Sequence, residues 1–436
     1  MMTSASQRSK GNGPLGVWSL TLLFLALLSV VPTALARKHG GGSSQGVLIA
    51  GGSDQFNGPM STAEFYDWKN GTFTCAFLGG VNSTTGACNN TLAQARFFAS
   101  EAPLPGGGAL IAGGNAVGVT CLNSAEIYDP STGQFSATGS MTDAHCFAHT
   151  TTVLQNGEVL ITGGEDQTGN IVNTADMYNP ASGKFDCSGL GGADPSTGYC
   201  LSTLTDSRFH DTATLLNNGR VLIAGGFDGA IVNTAELFDP VAGTFGCTGL
   251  GGLNGTTGFC SNTMTDSREN HTATLLATGP NANDVLIAGG LDASGVVLQT
   301  AELYNPTAGN FTATGSMTHA RYLHTATPLV HGRYAGDILI AGGEDGTGTV
   351  LATAEVYDRG AGTFTQVGTM TTPRALQTAV LVTSGPKKGY VLIAGGIDNS
   401  GNTLSTAELF NPKTGKFTAT GSMKVGRSSQ DGMALP

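Results

Sequence analysis

Charge is the first thing this chain has little of. Asp, Glu, Lys and Arg make up 12% of its 436 residues, about half the usual share of roughly 25%, so hydroxyl and amide side chains carry much of its polarity. What charge there is leans acidic, with a formal net charge of −11. A surplus of that sign argues against a nucleic-acid or anionic-membrane partner. After residue 37 no stretch keeps a helical period, and none is apolar for long enough to span a bilayer. The fingerprints of several chemistries are missing too. There is no G-x-S-x-G elbow, H-E-x-x-H pair, P-loop or dinucleotide motif, each of which sets a nucleophile, metal or phosphate cradle by local geometry. Cysteines spaced as C-x2–4-C and the D-x-D-x-D run of calcium loops are also lacking. Neither a structural zinc nor a calcium site is therefore expected, and no cofactor is implied.

What is present begins with a processing segment. Arg8 and Lys10 precede an uncharged run from Leu15 to Val31, then Pro32 and a small-residue exit at Ala34, Leu35 and Ala36. Residues 1–36 read as a signal peptide, or as an N-terminal anchor, since residues 15–36 could tether the chain to a membrane. Residues 37–45 form a Gly/Ser linker, and residues 46–436 form one domain. Removing residues 1–36 takes away Arg8 and Lys10 and no acid, so the mature chain is more acidic still. The expected location is secreted or cell envelope, periplasmic or extracellular.

The eight cysteines suit an oxidising compartment. Cys75 and Cys88, Cys187 and Cys200, and Cys247 and Cys260 form three pairs with one spacing and shared intervening text. Each pair is expected to close a local disulfide loop worth about 3 kcal/mol in the chain-entropy model. Cys121 and Cys146 remain for a fourth bridge between neighbouring units.

Nearly everything else is one repeated unit. A Gly-Gly doublet follows a Val-Leu-Ile-Ala run or a close variant at Gly51, Gly113, Gly163, Gly225, Gly289, Gly342 and Gly395. The unit reads Arg-x-x-His-Thr-Ala-Thr-Leu-Leu, then Val-Leu-Ile-Ala-Gly-Gly, then Thr-Ala-Glu-Leu-Tyr-Asp-Pro, then Thr-Gly-x-Phe-Thr. Four short strands fit each unit: the second is apolar throughout, as in a sheet buried on both faces, and Gly, Asn, Asp and Pro fill the turns. These residues resemble the kelch repeat, with its double glycine, its Tyr-Asp pair and an aromatic on the fourth strand. Phe73, Phe135, Phe185, Phe245, Phe311, Phe364 and Phe417 stand where that family usually has Trp. The resemblance implies an all-β, seven-bladed propeller of four-stranded antiparallel blades. The chain starts at a second strand, Val47 to Ala50, and ends on a first strand between Arg427 and Leu435. The C-terminus is therefore expected to complete the N-terminal blade and remove the open edges.

Candidate sites follow from the same alignment. Arg96, Arg208, Arg268, Arg321, Arg374 and Arg427 recur before the first strand, and Glu64, Glu126, Asp176, Glu236, Glu302, Glu355 and Glu408 recur on the third. Residues repeated in nearly every unit are expected to pair and hold the blades. Asp54, Asp166, Asp228, Asp292, Asp345 and Asp398 lie in second-to-third strand turns, where Asp bonds its own downstream backbone; those after Asp54 are also candidate ligand contacts. His149, Asp211, His271 and His324 share a first-strand position expected to line the channel. The cysteine loops and the Asp turns are expected on one face. Phe77, Leu78, Leu190, Tyr199, Leu250, Leu253 and Phe259 would then offer exposed apolar tips for recognition.

The function this favours is a monomeric secreted or cell-surface module that binds a protein or glycan through one face without catalysis. The alternatives are a carbohydrate-active enzyme, since the resemblance extends to galactose oxidase-like propellers and to a sugar epimerase, or an envelope scaffold.

Overall fold

The computed structural model describes residues 46–435 apart from residues 55, 57 and 119. The leader and linker assigned to residues 1–45 lie outside the described residues. No helix among those described is long and apolar enough to cross a membrane.

Seven four-stranded antiparallel sheets make up the fold. In blade 2 the strands run Ser100–Pro103, Ala109–Ala112, Ala125–Asp129 and Gln134–Ala137, from first to fourth. Blade 1 is assembled from both ends: Gly46–Ala50 pairs with Ala63–Asp67 on one side and with Asp431–Leu435 on the other. First strands of successive blades contact one another all the way round, so the ring closes. A small extra hairpin pairs Asn115–Ala116 with Thr120–Cys121 in the second-to-third connection of blade 2.

The apolar second strand is explained by what lies on each side of it. Val221, Leu222, Ile223 and Ala224 are all buried, yet Val221 and Ile223 pack with Leu160 and Met177 of blade 3, while Leu222 and Ala224 pack with Val285 and Ile287 of blade 5. Each blade is thus a sheet covered on both faces by its neighbours, which is why the strand reads as a continuous run rather than an alternation. The Phe on the fourth strand sits directly opposite the third-strand aromatic, as in Tyr304 with Phe311 at 5.0 Å between ring centroids. The tyrosine hydroxyl then reaches the preceding blade, as where Tyr357 meets Thr314 at 2.8 Å.

The arginines and carboxylates pair within blades. Arg96, Arg208, Arg268, Arg321, Arg374 and Arg427 meet Glu126, Glu236, Glu302, Glu355, Glu408 and Glu64 at 2.9 to 3.3 Å. Each arginine also donates to the carbonyl of the first glycine of its doublet. In blade 3 His145 replaces arginine: Nε2 lies 3.1 Å from Asp176 and Nδ1 lies 2.6 Å from the Gly163 carbonyl. Two acceptors call for two donors, so this ring is an imidazolium. Burial opposes that charge, but Asp176 and the carbonyl hold the proton and leave the His145 pKa raised.

The doublets join one blade to the next. The second glycine donates to the carbonyl of the following arginine, or of His145, at all seven junctions. Gly225 has φ +66°, and a Cβ there would stand 2.4 Å from the Arg268 oxygen. Only glycine tolerates both the left-handed backbone and that approach.

Candidate functional site

The repeat differs most from blade to blade where the chain enters each first strand. Phe98, Ala148, His210, Asn270, Leu323, Leu376 and Ser429 all have left-handed backbones, with φ between 51° and 56°. Non-glycine residues rarely accept that region, at a cost of about 1–3 kcal/mol each, and such strain gathers at binding sites. Their backbones form a ring: the amides of Phe98, Ser429, Leu376, Leu323, Asn270 and His210 each donate to the carbonyl of the preceding member at 3.2 to 3.3 Å. Between blades 2 and 3 the pattern breaks. An inserted residue there gives Phe147 a left-handed backbone as well, at φ 47°, and its amide donates to Asn115 Oδ1.

This ring rims the mouth of the central channel, a cavity of about 600 Å³. One side of the mouth is aromatic: Phe97, Phe98 and Phe147 lie within 5.2 to 6.3 Å of one another. Another side is polar, where His210 Nδ1 meets Glu269 Oε2 at 3.1 Å and Asn270 is the next rim residue. Farther out, residues before and after the rim pair across short bridges, among them Phe209 with Phe227, Glu269 with Leu291 and Tyr322 with Glu344. All of these are half-buried. The Tyr322 hydroxyl donates to Glu344, and burial with that bond pushes the phenol up to about 12.

The two faces differ in charge. Lys69, Lys184, Arg220, Arg333, Arg359, Lys387, Lys388, Lys413 and Lys416 all lie in or beside first-to-second or third-to-fourth turns, at the far end of the strands from the mouth. Among the described residues Lys424 is the one lysine on a connection at the mouth end; the blade arginines are buried and paired. Asp143, Asp206, Asp266, Glu269 and every Asp turn stand at the mouth end. That face is acidic.

The sequence-predicted residues divide. All four disulfides form, with Cys121 bonded to Cys146 across blades 2 and 3. The recognition tips need correction: Leu78, Leu190 and Leu250 are 0% exposed, each folded under its loop into the apolar core. Phe77 is half-buried against Phe65, with ring centroids 4.7 Å apart; Phe259 is half-buried, while Tyr199 at 38% and Leu253 at 66% are exposed. The base of each loop lies on the third-to-fourth turn of the next blade, as where the Tyr128 and Tyr304 hydroxyls donate to Phe77 and Gly249 carbonyls. The loops therefore wrap the outer edge instead of standing clear as separate tips, although the Tyr199 tip comes near enough to Asp143 and Asp166 for their charge to raise its phenol.

The turn aspartates bond their own loops. Asp166, Asp228, Asp292, Asp345 and Asp398 each accept from a backbone amide two residues on, at 2.7 to 3.0 Å. His149, His271 and His324 contribute to the cavity wall, but their imidazoles lie in the blade junctions. Nε2 meets Ser100, Thr212 and Thr272 of the preceding blade at 2.7 to 3.0 Å. Burial pushes His149 and His271 down to about 3 and His324 well below its ordinary value. They are neutral joints between blades, bonded through Nε2, and their buried Nδ1 atoms have no hydrogen-bond partner. No group of three or more His, Cys, Asp or Glu among the described residues is arranged to hold a metal ion.

Asp211 shares their position without their partners. It is buried, neither carboxylate oxygen has a hydrogen bond, and burial pushes it up to about 7. A carboxyl whose folded pKa exceeds its unfolded value near 3.8 destabilises the fold progressively as pH rises between the two. Asp211→Gln supplies the amide that Gln377 and Gln430 use to reach the preceding blade. It should leave stability nearly unchanged at pH 4 and raise it by up to about 4 kcal/mol at pH 8, at about 1.4 kcal/mol per pKa unit. Thermal melts at both pH values check this; an equal gain at both would be the wrong result.

Similarity to known proteins agrees with this architecture. The Kelch motif family matches residues 331–371 and 382–424, the latter parts of blades 6 and 7. The chain is a seven-bladed propeller that carries Kelch motifs in two of its blades. Among solved structures, that of YjhT superposes with a TM-score of 0.52 at 12% identity, covering 74% of this chain and 97% of the other. That likeness shows the fold alone. No curated protein matches the chain. The rim residues of the propeller are inconspicuous in the sequence because the repeat does not include them. Their signal was the opposite one, a column that changes in almost every copy between a basic residue, arginine in six copies and His145 in the seventh, and the first strand, with an insertion in blade 3.

Proposed function

We propose that this propeller is an exported binding module whose ligand, a protein or a glycan, seats on the mouth face. One observation carries the reading. The seven blades share their doublet and aromatic pair, and six of them their arginine, yet at the mouth they present different, half-buried side chains on a strained backbone, with phenylalanines gathered along one arc. Repeated residues hold the blades; what varies is free to recognise. Aromatic residues beside polar ones are enriched in binding hot spots, and the phenylalanine arc next to His210, Glu269 and Asn270 therefore favours a protein ligand. Four disulfides fit an extracellular or periplasmic setting. The His210–Glu269 pair would also suit proton transfer to a sugar hydroxyl.

Phe98→Ala with Phe147→Ala should weaken ligand binding by about 100-fold, at roughly 1–2 kcal/mol for each aromatic anchor, while shifting the melting temperature little. Titration calorimetry with a ligand found on protein or glycan arrays checks this. Unchanged affinity would remove the mouth from the site, and turnover of a sugar lost in His210→Ala would replace binding by catalysis.

A further inference from the structure

Resting on the mouth-face reading, we infer that the face docks a basic, amphipathic protein segment, with a Lys or Arg side chain entering the mouth and apolar side chains covering the aromatic arc. Blades 3 to 6 set Glu165, Glu269 and Glu344 around the polar side of the mouth, all half-buried. These groups form one electrostatic unit: Glu269 is bonded to His210, the charge of His210 acts on Glu165, and that of Glu269 acts on Tyr322, whose hydroxyl is bonded to Glu344. His210 is the one basic side chain within it. Burial raises the Glu165 carboxyl despite His210, so a further cation there would relieve a carboxylate already short of solvent.

The other arc has no charged side chain on the rim. Phe97, Phe98 and Phe147 lie there with Ile397, all half-buried. Apolar on one arc and anionic on the other, the mouth is complementary to a segment with the same division and opposite sign. Aromatic rings beside carboxylates also suit a cation with an apolar stem, which describes Lys and Arg. Because the exposed lysines and arginines sit almost wholly at the opposite end, the protein's own field would orient such a partner toward this face. An acidic or phosphorylated segment would meet repulsion there.

The test is selection of a phage-displayed random-peptide library on the disulfide-intact chain, followed by titration of recovered peptides against native protein, Phe98→Ala/Phe147→Ala, and Glu165→Gln/Glu269→Gln/Glu344→Gln. We expect peptides enriched in Lys or Arg next to apolar residues. Their affinity should fall about ten-fold in the glutamine variant and by a similar factor between 50 and 300 mM salt. Neutral or acidic peptides that still require Phe98 and Phe147 would overturn the charge inference and leave the mouth reading standing. Peptides indifferent to the phenylalanine pair would overturn both. Failure to recover any peptide, or selective binding on a glycan array lost in the phenylalanine variant, would overturn a protein segment as the occupant. Melting curves of each variant show whether a loss of binding is a loss of fold.

Discussion

Deleting residues 427–436 should abolish cooperative melting of the intact ring. The deletion removes Asp431–Leu435, the strand that closes blade 1 against Gly46–Ala50. It also removes Arg427, which is 0% exposed and bonded to Glu64 and to the Gly51 and Thr62 carbonyls. Leaving Glu64 buried without its cation costs about 3–5 kcal/mol. Exposing the sites of Met433 and Leu435, both buried, costs about 1.5–3 kcal/mol each. The sum rivals the whole stability of an ordinary domain, about 5–15 kcal/mol, and the bared edge of Gly46–Ala50 becomes a template for aggregation. Calorimetry and light scattering read the outcome. A truncated chain that melted like the full one would mean that the ring does not depend on this splice.

Arg321→Met should destabilise the protein by about 3–5 kcal/mol, because Glu355 would stay buried without its cation. Both partners are 0% exposed and 3.0 Å apart. The same carboxylate also accepts from the Thr318 and His319 amides, and the guanidinium donates to the Gly342 and Thr353 carbonyls. One substitution therefore strips the first-strand entrance, the doublet and the third strand at once. Adding Glu355→Leu should recover part of the loss, since removing the second charge spares its desolvation. Urea denaturation of the single and double variants checks this. A single variant as stable as the native chain would make the repeated pair ornamental.

The framework was legible in the sequence because the chain aligns with itself. Seven copies of the doublet, of the third-strand acid and of the two aromatics outlined seven four-stranded sheets, their closure and the Arg–carboxylate pairs. His145 was the exception: it stands where six copies have arginine, and only the distances to Asp176 and Gly163 reveal that it does the same job. The site was much less legible. Leu190 and Leu250 look like exposed tips in a Gly-rich loop, but the disulfide turns the chain back so that each leucine enters the core. His149, His271 and His324 look like channel ligands, yet the first strand meets its neighbours edge-on and turns these rings into the junctions. Left-handed backbone at non-glycine residues has no reliable sequence signature, so the variable column before each first strand shows its role as a rim only through the dihedral angles.

Hydrogen–deuterium exchange of the intact chain, with and without the tightest selected ligand, would locate the contact directly. Protection is predicted at residues 97–98, 147–148, 209–210, 269–270 and 322–323, with the turns that carry Arg220, Lys387 and Lys413 unaffected. Protection confined to those turns or to the cysteine loops, with the mouth exchanging as before, would contradict the division between a repeated framework and a variable recognition face.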